Sequence, residues 1–263
     1  MRLERLRLAF NANSMTSKLL EGRVSLITGG GRGLGRAIAL AYAKEGAKVA
    51  ISSRTQSEIE NTLELIREAG GVGFGFAADL TKEQEAKDLI TAVDSEFGQL
   101  DLVFLNAGGN AAKETIENVD TSSWIHTIEI NLYTAFHVAK ASLPLLKKSP
   151  HGQILTMGSG MGRRPDQTSS AYSGAKAGLW SLTQSMAIEF AQYGITVNEM
   201  IPGPVKANVP EGETFEPYIV KEGAWENEWF KGAEDVVPMA VFLASQHQHG
   251  PSGQSFALNR RLL

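Results

Sequence analysis

The chain contains no cysteine among its 263 residues. Disulfides, thiolate zinc sites, iron–sulfur clusters and cysteine nucleophiles are thereby excluded together. No stretch approaches the ~18 consecutive apolar residues of a membrane-spanning helix. Positive charge is not in excess either: 25 Lys and Arg stand against 29 Asp and Glu, a formal net charge of −4. That balance argues against nucleic acid and against anionic membrane as partners. Internal repeats, low-complexity tracts and linkers are missing from residues 22–263. What is present is a chain 43% hydrophobic and 21% charged, enough apolar material for one sizeable core at ordinary solubility. Such a chain is expected to be an enzyme or a small-molecule binder working in the cytoplasm.

The first eighteen residues stand apart. Arg2, Arg5 and Arg7 alternate with Leu3, Leu6 and Leu8, and a polar stretch runs on to Ser17. No apolar core or small-residue cleavage site of a secretory signal follows, so residues 1–18 read as a disordered leader rather than a targeting helix.

From Gly22 onward, short apolar runs alternate with helical stretches. Strands are expected at 24–27, 48–52, 72–77, 102–105, 153–157 and 196–200. Helices are expected near 34–45, 57–69, 83–97, 122–146 and 169–192. Alternation at this spacing argues for an α/β fold, a doubly wound parallel sheet with helices on both faces, in one domain over 19–263. Pro202 to Asp235 breaks the rhythm with four prolines and the aromatics Phe215, Tyr218, Trp225, Trp229 and Phe230. A long irregular segment after a strand's carboxyl end is expected to be a substrate lid, about 203–235.

The first strand runs into Thr28-Gly29-Gly30-Gly31-Arg32-Gly33-Leu34-Gly35, where a helix opens. Glycines there permit a tight turn and close approach of a pyrophosphate, which meets the N–H groups and positive dipole end of the helix. A dinucleotide's adenosine ribose then falls at the end of the second strand. NAD binding commonly places an acid there. This chain reads Ile51-Ser52-Ser53-Arg54 instead. Arg54, with Arg32 in reach of the same group, suits the 2′-phosphate of NADP(H).

Tyr172 and Lys176 are four residues apart, on one face of the expected helix. A phenol with a pKa of ~10 is a poor base at neutral pH, and a nearby ammonium favours its ionised form. A shift of ~3 units needs ~4 kcal/mol of differential interaction, which a close ammonium and a cationic nicotinamide could supply.

Taken jointly, Thr28-Gly29-x-x-x-Gly33-x-Gly35, Asp79, Asn106-Ala107-Gly108, Asn131, Ser159, Tyr172, Lys176 and Pro202-Gly203 resemble the short-chain dehydrogenases/reductases of the single-domain type. The resemblance runs from about Gly22 to Leu258 and implies a Rossmann-like fold. It implies that Tyr172 is the general acid/base and that Lys176 tunes it and holds the nicotinamide ribose. Ser159 would hydrogen-bond the substrate oxygen, and Asn131 would hold a water in the proton relay. Asp79 and Leu80 would touch adenine, and Asn106, Ala107 and Gly108 would flank the cofactor, as would Pro202, Gly203 and Val205. It also implies a homotetramer or homodimer built through the helices at 122–146 and 169–192. Three positions depart from the family pattern: Leu105, Ala207 where a threonine is common, and the ending Gly253-Gln254-Ser255-Phe256-Ala257.

The expected activity is NADP(H)-dependent interconversion of a ketone or aldehyde with its alcohol on a small carbonyl substrate. A 3-oxoacyl-thioester reductase is the alternative, and a non-catalytic NADP-binding regulator is a rival of another class. No metal site is expected: His247 and His249 lie in a polar loop without a carboxylate cluster. Arg163 and Arg164 either border the substrate cleft or are solvated.

Overall fold

The computed structural model describes residues 18–209, 214–223 and 226–260. The leader therefore lies outside the described residues apart from Lys18, and so does Trp225 of the segment at 203–235.

Strands β1 (Val24–Thr28), β4 (Leu102–Leu105), β5 (Gln153–Met157) and β6 (Thr196–Ile201) are buried along their whole length. Helices cover both faces of a parallel sheet, so its inner strands read as continuous apolar runs rather than as alternation. With β2 (Lys48–Ser53), β3 (Val72–Ala77) and β10 (Ser255–Ala257) they form a seven-stranded sheet, ordered β10-β6-β5-β4-β1-β2-β3. Every neighbouring pair in it is parallel. Ile27 of β1 faces Ile51 of β2 on one side and Phe104 of β4 on the other.

Helices α1 (Gly33–Lys44), α2 (Gln56–Glu68) and α7 (Val237–Ala244) pack on one face, around Tyr42, Phe104 and Ile51. Helices α3 (Glu83–Phe97), α5 (Thr134–Leu146) and α6 (Ser170–Phe190) cover the other, around Leu89, Val138 and Leu179. The strand order reverses between β1 and β4, which opens a crevice at their carboxyl ends, where doubly wound sheets bind ligands.

Two local expectations are corrected. The helix expected at 122–146 is α4 (Thr121–Ile128), one π-helical turn at Glu129–Tyr133, and then α5. The segment after β6 is not irregular throughout. Strands β7 (Val205–Lys206), β8 (Tyr218–Ile219) and β9 (Trp229–Gly232) form a small sheet ordered β7-β9-β8. Phe215, Tyr218 and Phe230 close on one another there, with ring centroids 5.4 to 6.2 Å apart.

Candidate active site

The ends of β1 and β4 are tied together by side chains. Thr28, buried, accepts hydrogen bonds from the amides of Asn106 and Ala107, both at 3.0 Å, and donates to the Phe104 carbonyl at 3.4 Å. Asn106 returns a bond from Nδ2 to the Thr28 carbonyl at 2.9 Å. A Cβ on Gly35 would collide with the Gly29 carbonyl oxygen, so only glycine lets the start of α1 sit against this turn. Gly33, Leu34 and Gly35 line the crevice, and the first amides of a helix have no intrahelical partner. The crevice is a cleft of about 690 Å³, within the size range of small-molecule and cofactor sites.

At one end of the cleft stand Arg32, Ser53, Arg54, Asp79 and Leu80. Burial works to raise the Asp79 pKa. Hydrogen bonds from the Thr81 hydroxyl (2.7 Å) and amide (3.2 Å), with Lys82 and Arg54 nearby, outweigh it and hold the carboxyl below its usual value. A carboxylate also enters this end from α2. Glu58 accepts a hydrogen bond from the Ser53 hydroxyl at 3.1 Å and lies 3.6 Å from the Arg32 guanidinium. Gly31 backs onto Ser53 and Glu58, and its carbonyl accepts from Arg36 and Thr62.

At the other end, Ser159, Tyr172 and Lys176 share the wall. The Lys176 ammonium is buried, lies 5.6 Å from the centre of the Tyr172 ring and donates to the Met157 carbonyl at 2.8 Å. Burial pulls its pKa down to about 8, against an opposing pull from the Glu199 carboxylate. Tyr172 departs from the expectation of a lowered pKa. Burial pushes its phenol above the ordinary value, and a hydrogen bond with Ser159 opposes this only in part. The phenol therefore stands neutral at pH 7 and has a proton to give.

Asn131 sits in the π-helical turn, wholly buried. It clasps Gly109, accepting from its amide at 3.2 Å and donating to its carbonyl at 2.6 Å, and donates to Thr127 at 2.8 Å. These bonds hold the widened turn in place, and such turns recur at functional sites. A Cβ on Gly108 would lie 2.5 Å from Asn131 Oδ1 and 3.5 Å from Lys176 Nζ. Glycine there lets the two polar groups come near each other.

Of the residues singled out from the sequence, Thr28, Gly31 and Asn131 stand behind the cleft wall. Gly29, Asn106, Ala107, Gly108, Pro202, Gly203 and Val205 line the cleft with the others named above. Arg163 neither borders the cleft nor points to solvent: its guanidinium is fixed on buried Glu199. Arg164 is exposed. Among the described residues no cluster of three metal-ligating side chains occurs, and no helix is long and apolar enough to cross a membrane. Sequence reasoning missed Glu58 and Glu199, whereas Phe230, singled out as one aromatic of the segment at 203–235, lines the cleft with Val205. Glu199 carried a visible signal, a lone acid inside an apolar strand.

The sequence profile of the short chain dehydrogenase family matches residues 23–214. The chain belongs to that family. A short-chain dehydrogenase/reductase of Armillaria gallica is 34% identical over 252 residues, covering 91% of this chain and 95% of that protein. The 3-oxoacyl-acyl-carrier-protein reductase FabG of Escherichia coli (strain K12) is 31% identical over 240 residues, covering 91% of this chain and 96% of that protein. Among solved structures, the NADH-dependent reductase A1-R′ responsible for alginate metabolism superposes with a TM-score of 0.78 at 27% identity, covering 91% of this chain and 96% of that one. The same reductase complexed with NAD gives a TM-score of 0.78 at 28% identity. As a short-chain dehydrogenase the chain is an oxidoreductase, and its family and NAD-bound neighbour support a nicotinamide cofactor. The glycine turn, the helix start that a Cβ at Gly35 would displace, and the volume of the cleft all fit such a dinucleotide.

Proposed function

We propose that this short-chain dehydrogenase is an NADP(H)-dependent carbonyl reductase/alcohol dehydrogenase. The observation that carries the reading is the cleft itself. Ser159, Tyr172 and Lys176 line one end, two arginines line the other, and a glycine turn and helix start lie between. The chemistry that bound NADP(H) supplies is hydride donation to, or acceptance from, the carbonyl carbon. Gly29, Gly33 and Leu34 would hold its pyrophosphate, Asp79 and Leu80 its adenine, and Arg54 and Arg32 its 2′-phosphate. Lys176 would hold the nicotinamide ribose, with Pro202, Gly203 and Val205 against the ring.

In carbonyl reduction the neutral Tyr172 phenol gives its proton to the substrate oxygen as general acid. Ser159 donates a hydrogen bond that orients that oxygen. The Lys176 ammonium stabilises the phenolate left behind, and Lys176 with Asn131 returns a proton from solvent. Alcohol oxidation reverses each transfer.

Phe230 and Val205 make the substrate side of the cleft apolar, and we read the segment at about 203–235 as its lid. That segment carries three lysines against seven glutamates and one aspartate, a net −5. The charge disfavours acidic carrier conjugates and favours a small neutral or mildly hydrophobic ketone. The likeness to FabG supports acyl-thioester reduction as a second reading. Exposed Trp124, Ile125, Tyr133, Phe136 and Trp180 on α4, α5 and α6 and the turn joining α4 to α5 support a homodimer or homotetramer through those helices.

The test is oxidation of NADPH, followed by its absorbance, against a panel of neutral ketones, aldehydes and a 3-oxoacyl thioester. Turnover of neutral ketones is expected. Tight NADPH binding without turnover of any carbonyl would favour the non-catalytic regulator.

A further inference from the structure

Strand β6 reads Thr196-Val197-Asn198-Glu199-Met200-Ile201, and Glu199, its one charged residue, is wholly buried. A carboxylate in that position is strongly unfavourable unless it is paired and fully hydrogen-bonded. Here it is. Arg163 grips it with both terminal nitrogens, Nη1 to Oε1 at 3.0 Å and Nη2 to Oε2 at 2.6 Å. Ser255 donates to Oε2 at 2.6 Å and accepts from Arg163 at 2.9 Å. The guanidinium also stacks over Trp180, 5.0 Å from the ring centre.

These three residues come from the loop after β5, from β6 and from β10, and they meet beneath the cleft wall. The carboxylate lies directly against the chain that leads into Ser159, because a Cβ on Gly158 would overlap it. The Gly158 amide is bonded to the Met200 carbonyl at 2.8 Å, and the preceding carbonyl, Met157, receives the Lys176 ammonium. The titratable and charged groups around Lys176 are Tyr172 from its own helix and, from β6, Glu199, which lies against Gly158 next to the Met157 carbonyl that Lys176 bonds, with Arg163 on the Glu199 carboxylate.

We propose that Glu199 is a positioning residue of this site: clamped by Arg163 and Ser255, it fixes the Ser159 loop and supplies the negative charge that faces the Lys176 ammonium. The direction of its pull on Lys176, which opposes the effect of burial, agrees. The kinetic consequence rests on the assignment of Tyr172 and Lys176 as the acid/base pair; the effect on Lys176 itself does not.

The experiment compares wild type with Glu199→Gln and with Glu199→Gln/Arg163→Met, which removes both charges and leaves no unpaired guanidinium. The Lys176 side chain is titrated by NMR in the protein without cofactor, its signal assigned by loss in Lys176→Met, and kcat for carbonyl reduction is measured against pH. Removing the carboxylate should lower the Lys176 midpoint by about one pH unit in Glu199→Gln, and by less in the double variant, where loss of the Arg163 cation offsets part of the effect. The high-pH fall in kcat should move down by the same amount, so that activity lost at pH 8 is largely retained at pH 6. The double variant should recover the thermal stability lost in the single one. An unmoved midpoint in Glu199→Gln overturns the proposal. A moved midpoint with an unmoved kcat profile supports the link to Lys176 and counts instead against Lys176 as the activating residue.

Discussion

Glu58→Gln probes the cofactor end of the cleft, because it removes a charge without removing volume. The carboxylate lies 3.6 Å from Arg32 and 3.1 Å from the Ser53 hydroxyl, the groups that would meet a 2′-phosphate alongside Arg54. A phosphate monoester carries nearly two negative charges at neutral pH. Facing a carboxylate at ~6 Å through an effective dielectric of ~60, it is repelled by ~2 kcal/mol, and ionic screening at this partly exposed position reduces that to ~1 kcal/mol. NADPH should therefore bind about fivefold more tightly to Glu58→Gln, with the NADH dissociation constant unchanged within about twofold. Nicotinamide fluorescence gives both constants, and the gain should shrink at ~1 M salt, where the screening length falls to ~3 Å. Equal effects on the two cofactors, or weaker NADPH binding, would refute the placing of a phosphate beside Glu58.

Arg54→Asp should act in the opposite sense. Losing one charge-assisted hydrogen bond costs ~1.5–3 kcal/mol, so NADPH affinity relative to NADH should fall at least about tenfold; an unchanged ratio would sink the NADP(H) assignment. Lys176 sets a stability term whose sign is fixed by its lowered pKa. Between about 8, its folded value, and 10.5, its ordinary one, the unfolded chain binds a proton that the folded chain does not. Its contribution to stability therefore rises with pH across that window, by up to ~3 kcal/mol. Urea midpoints at pH 7.5 and 9.5 should show this rise in wild type relative to Lys176→Met, and an equal rise in both would contradict it. Light scattering at micromolar protein should show a dimer or tetramer, and a strictly monomeric species would contradict the interface on α4, α5 and α6.

Much of the sheet is legible in the sequence for one physical reason: strands covered on both faces must be apolar throughout, and β1, β4, β5 and β6 are. The glycine turn is legible because Gly35 has no substitute against the Gly29 carbonyl. Helical spacing puts Tyr172 and Lys176 on one face, and their roles come from the joint resemblance to the family rather than from that spacing. What hid from the sequence depends on partners distant along the chain. The π-helical turn at 129–133 is held by bonds from Asn131 to Gly109, and helix propensity carries no trace of them. Glu58 reads as an ordinary acid in the first turn of α2 until Gly31 lets that turn pack against the cofactor end. Arg163, read from sequence as bordering the cleft or solvated, does neither because its partner lies 36 residues away on β6. The direction of the Tyr172 shift was hidden for the same reason, because the burial that raises its pKa comes from elements distant along the chain.

Proton delivery by Tyr172 is the central claim, and Tyr172→Phe tests it most directly. The substitution removes one oxygen and leaves the helix, Lys176 and the glycine turn in place. Dissociation constants for NADPH should stay within about twofold of wild type, while kcat for ketone reduction falls by at least the ~10²-fold expected from loss of a general acid. Turnover near the wild-type rate in the variant, with cofactor binding intact, would contradict the account.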